Sequence, residues 1–97
     1  MTRKITEINQ AITQHIVDRG TTYDQADGER SAEKTAQAFN AITGHTLKAS
    51  EVFLSLQILK DVRQWSRTAY HQDSAEDAAS YALLKVEALE YEHNQNL

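Results

Sequence analysis

Residues 49–68 read ASEVFLSLQILKDVRQWSRT. Val52, Phe53, Leu54, Leu56, Ile58, Leu59, Val62 and Trp65 crowd this stretch with no glycine or proline between them. It predicts a helix from about Ala49 to about Thr68. Its apolar residues exceed what one face can hold. Such a helix sits at the centre of a bundle or is shared between a core and a subunit interface.

The segments on either side support the same class. Upstream, Ile5, Ile8, Ile12 and Ile16 recur at three- and four-residue steps and form one stripe, with Thr2 as cap and Arg19-Gly20 as the close. Gly20 to Gly28 is rich in Gly, Thr and Asp and reads as an ordered loop carrying Tyr23. A second helix is expected from about Glu29 to Thr43, ending at Gly44, with Ala32, Ala36, Phe39 and Ile42 as its buried line. Downstream, Asp73-Ser74-Ala75-Glu76 matches a capping box with Asp in the first place. The fourth helix then continues through Tyr81, Leu84, Ala88 and Tyr91 and frays over residues 93–97.

The whole chain has 97 residues, no proline, no cysteine and only three glycines. Length makes room for one domain, residues 1–97. The missing proline and scarce glycine favour long helices. Without cysteine, disulfides and thiolate metal sites are excluded. The reading is an all-α, four-helix bundle. Hydrophobic residues make up 40 % of the chain, and many are alanine, so a monomer would be short of core and a homo-oligomer is expected. No apolar run is long enough to span a membrane and no signal core follows Arg3 and Lys4, which points to the cytoplasm.

The net charge is −4, from 10 Lys+Arg against 14 Asp+Glu. That balance argues against generic binding to nucleic-acid backbone or to an anionic membrane. It also hides a local reversal. Lys60, Arg63 and Arg67 stand at i, i+3 and i+7 and are expected on one helical face. Tyr70 to Ser74 follow, and Asp73, Asp77 and Tyr81 stand four apart on the next helix. An antiparallel hairpin would bring the basic stripe toward that acidic face. The functional reading is a polar pocket in which cations hold phosphates, a tyrosine stacks on a base and a carboxylate orients a ribose or base amine. The structural alternative has Asp73 capping its helix, Asp77 pairing with Arg63, and Tyr81 in the core.

Arg19-Gly20-Thr21-Thr22-Tyr23-Asp24 is a second candidate, a glycine-opened loop suited to phosphate or base contacts and equally to an ordinary turn. A magnesium cage draws on several carboxylates from two helices. The fourth helix offers Asp73, Glu76 and Asp77, and the third only Glu51 and Asp61. His15, His45, His71 and His93 lack zinc spacing, and no nucleophile motif or P-loop occurs. Trp65 and Phe53 read as core or interface, and Glu87, Glu90 and Glu92 as a solvated face.

The order Arg19…Tyr23-Asp24, Phe39…Ile42…Gly44…Leu47…Val52, Leu59-Lys60…Arg63 and His71-Gln72-Asp73-Ser74…Asp77…Tyr81-Ala82-Leu83 resembles a small phage-encoded family of unknown function. Its hallmark runs Lys-x-x-Arg, a short gap, then His-x-Asp-Ser-x-x-Asp-x-x-x-Tyr. The resemblance covers roughly residues 15–85 and is most specific toward its C-terminal part. Relatives tend to have Tyr-Gly where this chain has Tyr23-Asp24, and glycine where it has Ser80. That family is distantly similar to the MazG-like all-α nucleotide pyrophosphohydrolases, helical oligomers that hold Mg²⁺ through acidic motifs on two successive helices. The resemblance implies a MazG-like bundle. Asp73 and Asp77 match the second acidic motif, whereas Lys60 and Arg63 stand where the first would supply carboxylates.

Three functions are therefore expected candidates. The first is a non-catalytic, phage-type binder of a small nucleotide, with Arg19, Tyr23, Lys60, Arg63, Arg67, His71, Asp73, Asp77 and Tyr81 as ligand-binding residues, no cofactor and an anti-defence role. The second is a Mg²⁺-dependent nucleoside-triphosphate pyrophosphohydrolase using Asp73, Glu76 and Asp77. The third is a protein–protein inhibitor of a host defence complex.

Overall fold

A computed structural model describes residues 2–23 and 31–95, and the side chains of 2–19 and 31–95. Among the described residues the protein is all-α, with α1 at Ile5–Tyr23, α2 at Ser31–Thr43, α3 at Ala49–Trp65 and α4 at Gln72–Gln95. The chain divides into two compact units, Met1–Arg30 and Ser31–Leu97.

The first unit is built on α1. The Lys4 amide donates to Glu7 Oε1 at 3.2 Å, and the Ile8 amide to the Lys4 carbonyl at 3.0 Å. Lys4 is thus the N-cap, and the expected cap Thr2 lies outside the helix. Ile12 is buried, Ile8 and Ile16 are half-buried, and Ile5 is exposed, so the apolar stripe is buried at its middle. The helix does not stop at Arg19-Gly20. It runs on to Tyr23, because one glycine costs a helix only about 1 kcal/mol. The rest of the expected loop, residues 24–28, lies outside the described residues.

The second unit is an antiparallel α3–α4 hairpin with α2 packed against it. Ala32 and Ala36 of α2 are buried with Val52 and Phe53 of α3, and Leu47, Leu56, Tyr81, Leu84 and Ala88 pack around them. Alanine on the contact side lets α2 approach closely. The expected buried line of α2 is corrected in its second half: Phe39 and Ile42 are exposed. At 100° per residue Ile42 falls about 100° away from the Ala32–Ala36 line. Phe39 instead stacks on His45 with ring centroids 5.8 Å apart.

The α2–α3 connection is closed by side chains. Gly44 has φ 76°, the left-handed value that ends a helix, and its amide donates to the Asn40 carbonyl at 2.8 Å. Asn40 then clamps Leu47, accepting its amide on Oδ1 at 2.7 Å and donating Nδ2 to its carbonyl at 2.9 Å.

α3 ends three residues sooner than the sequence predicts. The Ser66 hydroxyl and amide both donate to the Val62 carbonyl, at 2.6 and 2.9 Å, so this oxygen closes the last turn. Beyond it, Gln64 fastens the turn from both sides. Its Nε2 donates to the Ala69 carbonyl at 3.2 Å, and its Oε1 accepts the His71 amide at 2.8 Å.

The start of α4 also differs. The helix begins at Gln72, and His71 rather than Asp73 is its N-cap. His71 Nδ1 accepts the Ser74 amide at 3.3 Å and lies 2.7 Å from the Ser74 hydroxyl. An imidazole nitrogen does here what an Asp or Ser oxygen does at most caps. Asp73 becomes a first-turn acid that complements the helix dipole. The far end stays helical through Gln95, past the fraying expected from His93, and Tyr91 is exposed.

Candidate functional site

The basic stripe and the acidic helix meet through Lys60 and Asp77. Lys60 Nζ lies 2.8 Å from Asp77 Oδ2, with both side chains about one-fifth exposed. The structural alternative pairs Asp77 with Arg63. The crossing of α3 and α4 decides otherwise. Phe53, Gln57, Lys60 and Gln64 follow one another along the side of α3 that faces α4, as their contacts with Tyr81, Lys85, Asp77 and His71 show. Arg63 is rotated about 60° or more from that line. It is exposed, and it makes no ion pair among the described residues.

Arg67 is likewise exposed and lies beyond the C-cap Ser66, so it does not continue the helical face of Lys60 and Arg63. The expected three-cation stripe is therefore two helical residues and one turn residue. Asp73 is exposed. His71 is half-buried, and its Nδ1 is engaged by Ser74, which is only 2 % exposed. Tyr81 is half-buried, its ring centroid 6.5 Å from that of Phe53, and it contributes to the core cluster. Arg19 is exposed on α1 in the first unit, and the side chain of Tyr23 lies outside the described residues.

The chemistry on offer follows from these placements. At the turn end of the hairpin, Lys60 is already neutralised by Asp77, while Arg63 and Arg67 present guanidinium groups that bind phosphate or carboxylate oxygens in a bidentate manner. Among the described residues no three His, Asp or Glu side chains gather as metal donors. Asp77 is committed to Lys60, and Glu51 Oε1 accepts the Lys48 amide at 2.9 Å.

A family model described as a domain of unknown function, DUF6378, matches residues 5–89. The chain belongs to the DUF6378 family. No curated protein and no solved structure matches it. In this DUF6378 protein the match takes in α1, α2, α3 and most of α4, so the hairpin and its ion pair are part of the family domain. No helix among the described residues is long and apolar enough to cross a membrane.

The sequence did not single out Glu92. It was expected on a solvated face, yet it is half-buried and reaches across to α3. Its Oε2 accepts the Ser50 amide at 3.0 Å and its Oε1 the Ser50 hydroxyl at 2.6 Å. The cause lies at residue 48. Lysine cannot accept a hydrogen bond, so the N-cap position of α3 leaves the first-turn amides without a local side-chain acceptor. A carboxylate from α4 supplies it. Glu87 and Glu90 are exposed, as read.

Proposed function

We propose that the protein binds a small phosphorylated ligand of the nucleotide class without turning it over. The observation that carries this reading is the division of labour among the cations: Lys60 holds Asp77, which leaves Arg63 exposed in the last turn of α3 and Arg67 exposed just beyond it. Two guanidinium groups at one end of an acidic domain favour a compact anion over a long polyanion. In this reading Asp73 accepts from a ribose hydroxyl or a base amine. The proposal extends to a MazG-like helical assembly of more than one copy, to a phage origin, and to sequestration of a host signalling nucleotide in the bacterial cytoplasm. These extensions rest on the resemblance of the Lys60…Arg63 and His71…Tyr81 segments.

Titration calorimetry against mono-, di-, tri- and cyclic nucleotides tests it. Binding is expected with at least one, without Mg²⁺, and about fivefold weaker in Arg63→Ala, the equivalent of about 1 kcal/mol for one charge-assisted contact. No heat with any nucleotide and an unchanged melting temperature would overturn it. Pyrophosphate release in Mg²⁺ would favour the pyrophosphohydrolase alternative instead. A second reading, an inhibitor that docks on a host defence protein, is favoured by the exposed Trp65. Capture of a single partner that is lost in Trp65→Ala would support it.

A further inference from the structure

The surplus of apolar residues on α3 has a definite location. Phe53, Gln57 and Lys60 face α4, and Val52, Phe53 and Leu56 face α2. Helical periodicity then puts Leu54, Ile58, Val62 and Trp65 on the remaining side, turned away from α2. All four are exposed, from 42 % at Leu54 to 83 % at Trp65. On α4, Leu84 and Ala88 pack against the core cluster that α2 and α3 share, so the same periodicity turns Val86 and Leu89 away from it, beside Leu54. They too are exposed. One broad face of the hairpin carries α2, packed on α3, and on the other these six apolar side chains are exposed.

We propose that a second copy of this chain covers that face, by antiparallel packing of α3 on α3 about a two-fold axis at Ile58. The pattern is self-complementary in this register. Ile58 meets its own mate, Leu54 meets Val62, and the end that carries Trp65 lies over the partner's α3 start, within reach of its Val86 and Leu89. Isologous contacts of this kind close after two copies. Area agrees: the six side chains expose roughly 700 Å² per copy, close to the roughly 800 Å² per partner of a standard interface. Charge agrees as well. Antiparallel packing sets the acidic first turn of one α3, with Glu51, near the Arg67 end of the other. This gives a geometry to the oligomeric part of the proposed function and needs no nucleotide.

The chain has no cysteine, which makes the register directly testable. Two helices packed 8–10 Å apart bring Cα atoms at the axis to about 3.5–5.5 Å, which reaches disulfide range. Residues 54 and 54 of the two copies stand about 12 Å apart along the helix direction, outside it. Ile58→Cys is therefore expected to oxidise to a covalent dimer. Leu54→Cys alone is not, whereas Leu54→Cys mixed with Val62→Cys is expected to form a mixed dimer. The unmodified protein is expected to sediment as a dimer of micromolar or tighter affinity, and Ile58→Glu as a monomer with unchanged helical circular dichroism. A wild-type monomer at every concentration would overturn the proposal. So would a dimer that survives Ile58→Glu, or Leu54→Cys cross-linking to itself as readily as Ile58→Cys. If Ile58→Glu fails to fold, the cysteine comparison still decides. Loss of nucleotide binding in calorimetry would leave these outcomes untouched.

Discussion

Replacing Glu92 by alanine should loosen a helix turn 42 residues earlier, at Ser50. Glu92 accepts two hydrogen bonds from Ser50, from the amide at 3.0 Å and from the hydroxyl at 2.6 Å. Hydrogen bonds to a charged group contribute roughly 1.5–3 kcal/mol each when well buried. Glu92 is half-buried and water can replace it in part, so the pair together is worth about 2 kcal/mol. Its charge at the N-terminus of α3 adds about 0.5 kcal/mol through the helix dipole. Ser50 is 4 % exposed, so its hydroxyl cannot simply turn to solvent after truncation. A loss of about 2.5 kcal/mol corresponds to a melting-temperature drop of about 10–20 °C for a domain of this size. Thermal unfolding followed by circular dichroism measures it. Glu92→Gln keeps an acceptor oxygen and loses the charge, and should fall about halfway. Glu90→Ala, an exposed glutamate on the same helix, should stay within about 0.5 kcal/mol of wild type. The double-mutant cycle with Ser50→Ala should show coupling of about 1 kcal/mol. A Glu92→Ala melting temperature within about 3 °C of wild type, or strict additivity in the cycle, would refute the cap.

Three further outcomes are expected. Asn40→Ala removes both bonds to Leu47 and should cost about 1–2 kcal/mol in urea unfolding, with the slope of the transition unchanged. Gly44→Ala should cost about 1 kcal/mol from the left-handed backbone alone, since an added Cβ would meet nothing within 4 Å; hydrogen exchange should show the loss confined to the α2–α3 turn. The Lys60–Asp77 pair should give a coupling of about 0.5–1 kcal/mol in a double-mutant cycle, reduced by added salt, while Arg63→Ala leaves stability within about 0.5 kcal/mol.

Four helices were legible because their apolar residues recur at helical spacing and nothing breaks the runs. The excess on α3 was legible for the same reason, and it marks the face that α2 leaves bare. The ends of the helices were harder to read. Gly44 declares itself by residue type, but His71 and Glu92 do not. Histidine is a poor cap by propensity, and it serves here because Gln64 holds its amide and Ser74 lies against its ring. Glu92 becomes a cap only once α4 lies alongside α3, a long-range fact that no local window contains. The choice of Lys60 over Arg63 for Asp77 is of this kind too. Both share a rough helical face, and a rotation of about 60° between them decides which one meets α4. The candidate site was thus readable as a set of charges and unreadable as a set of pairs.

The dependence of α3 on Glu92 has a consequence for how the protein is made. Synthesis runs from the N-terminus at about 5–20 residues per second, so the acceptor for the Ser50 amide is polymerised about 2–8 s after Ser50 itself. For that interval the most apolar segment of the chain has its first turn uncapped by Glu92 and its partner helix incomplete. Ala32 and Ala36 are already available and offer only small side chains to cover it. The nascent chain is then an apolar helix former in search of a surface, which is the state that chaperones recognise and in which neighbouring chains on one message meet.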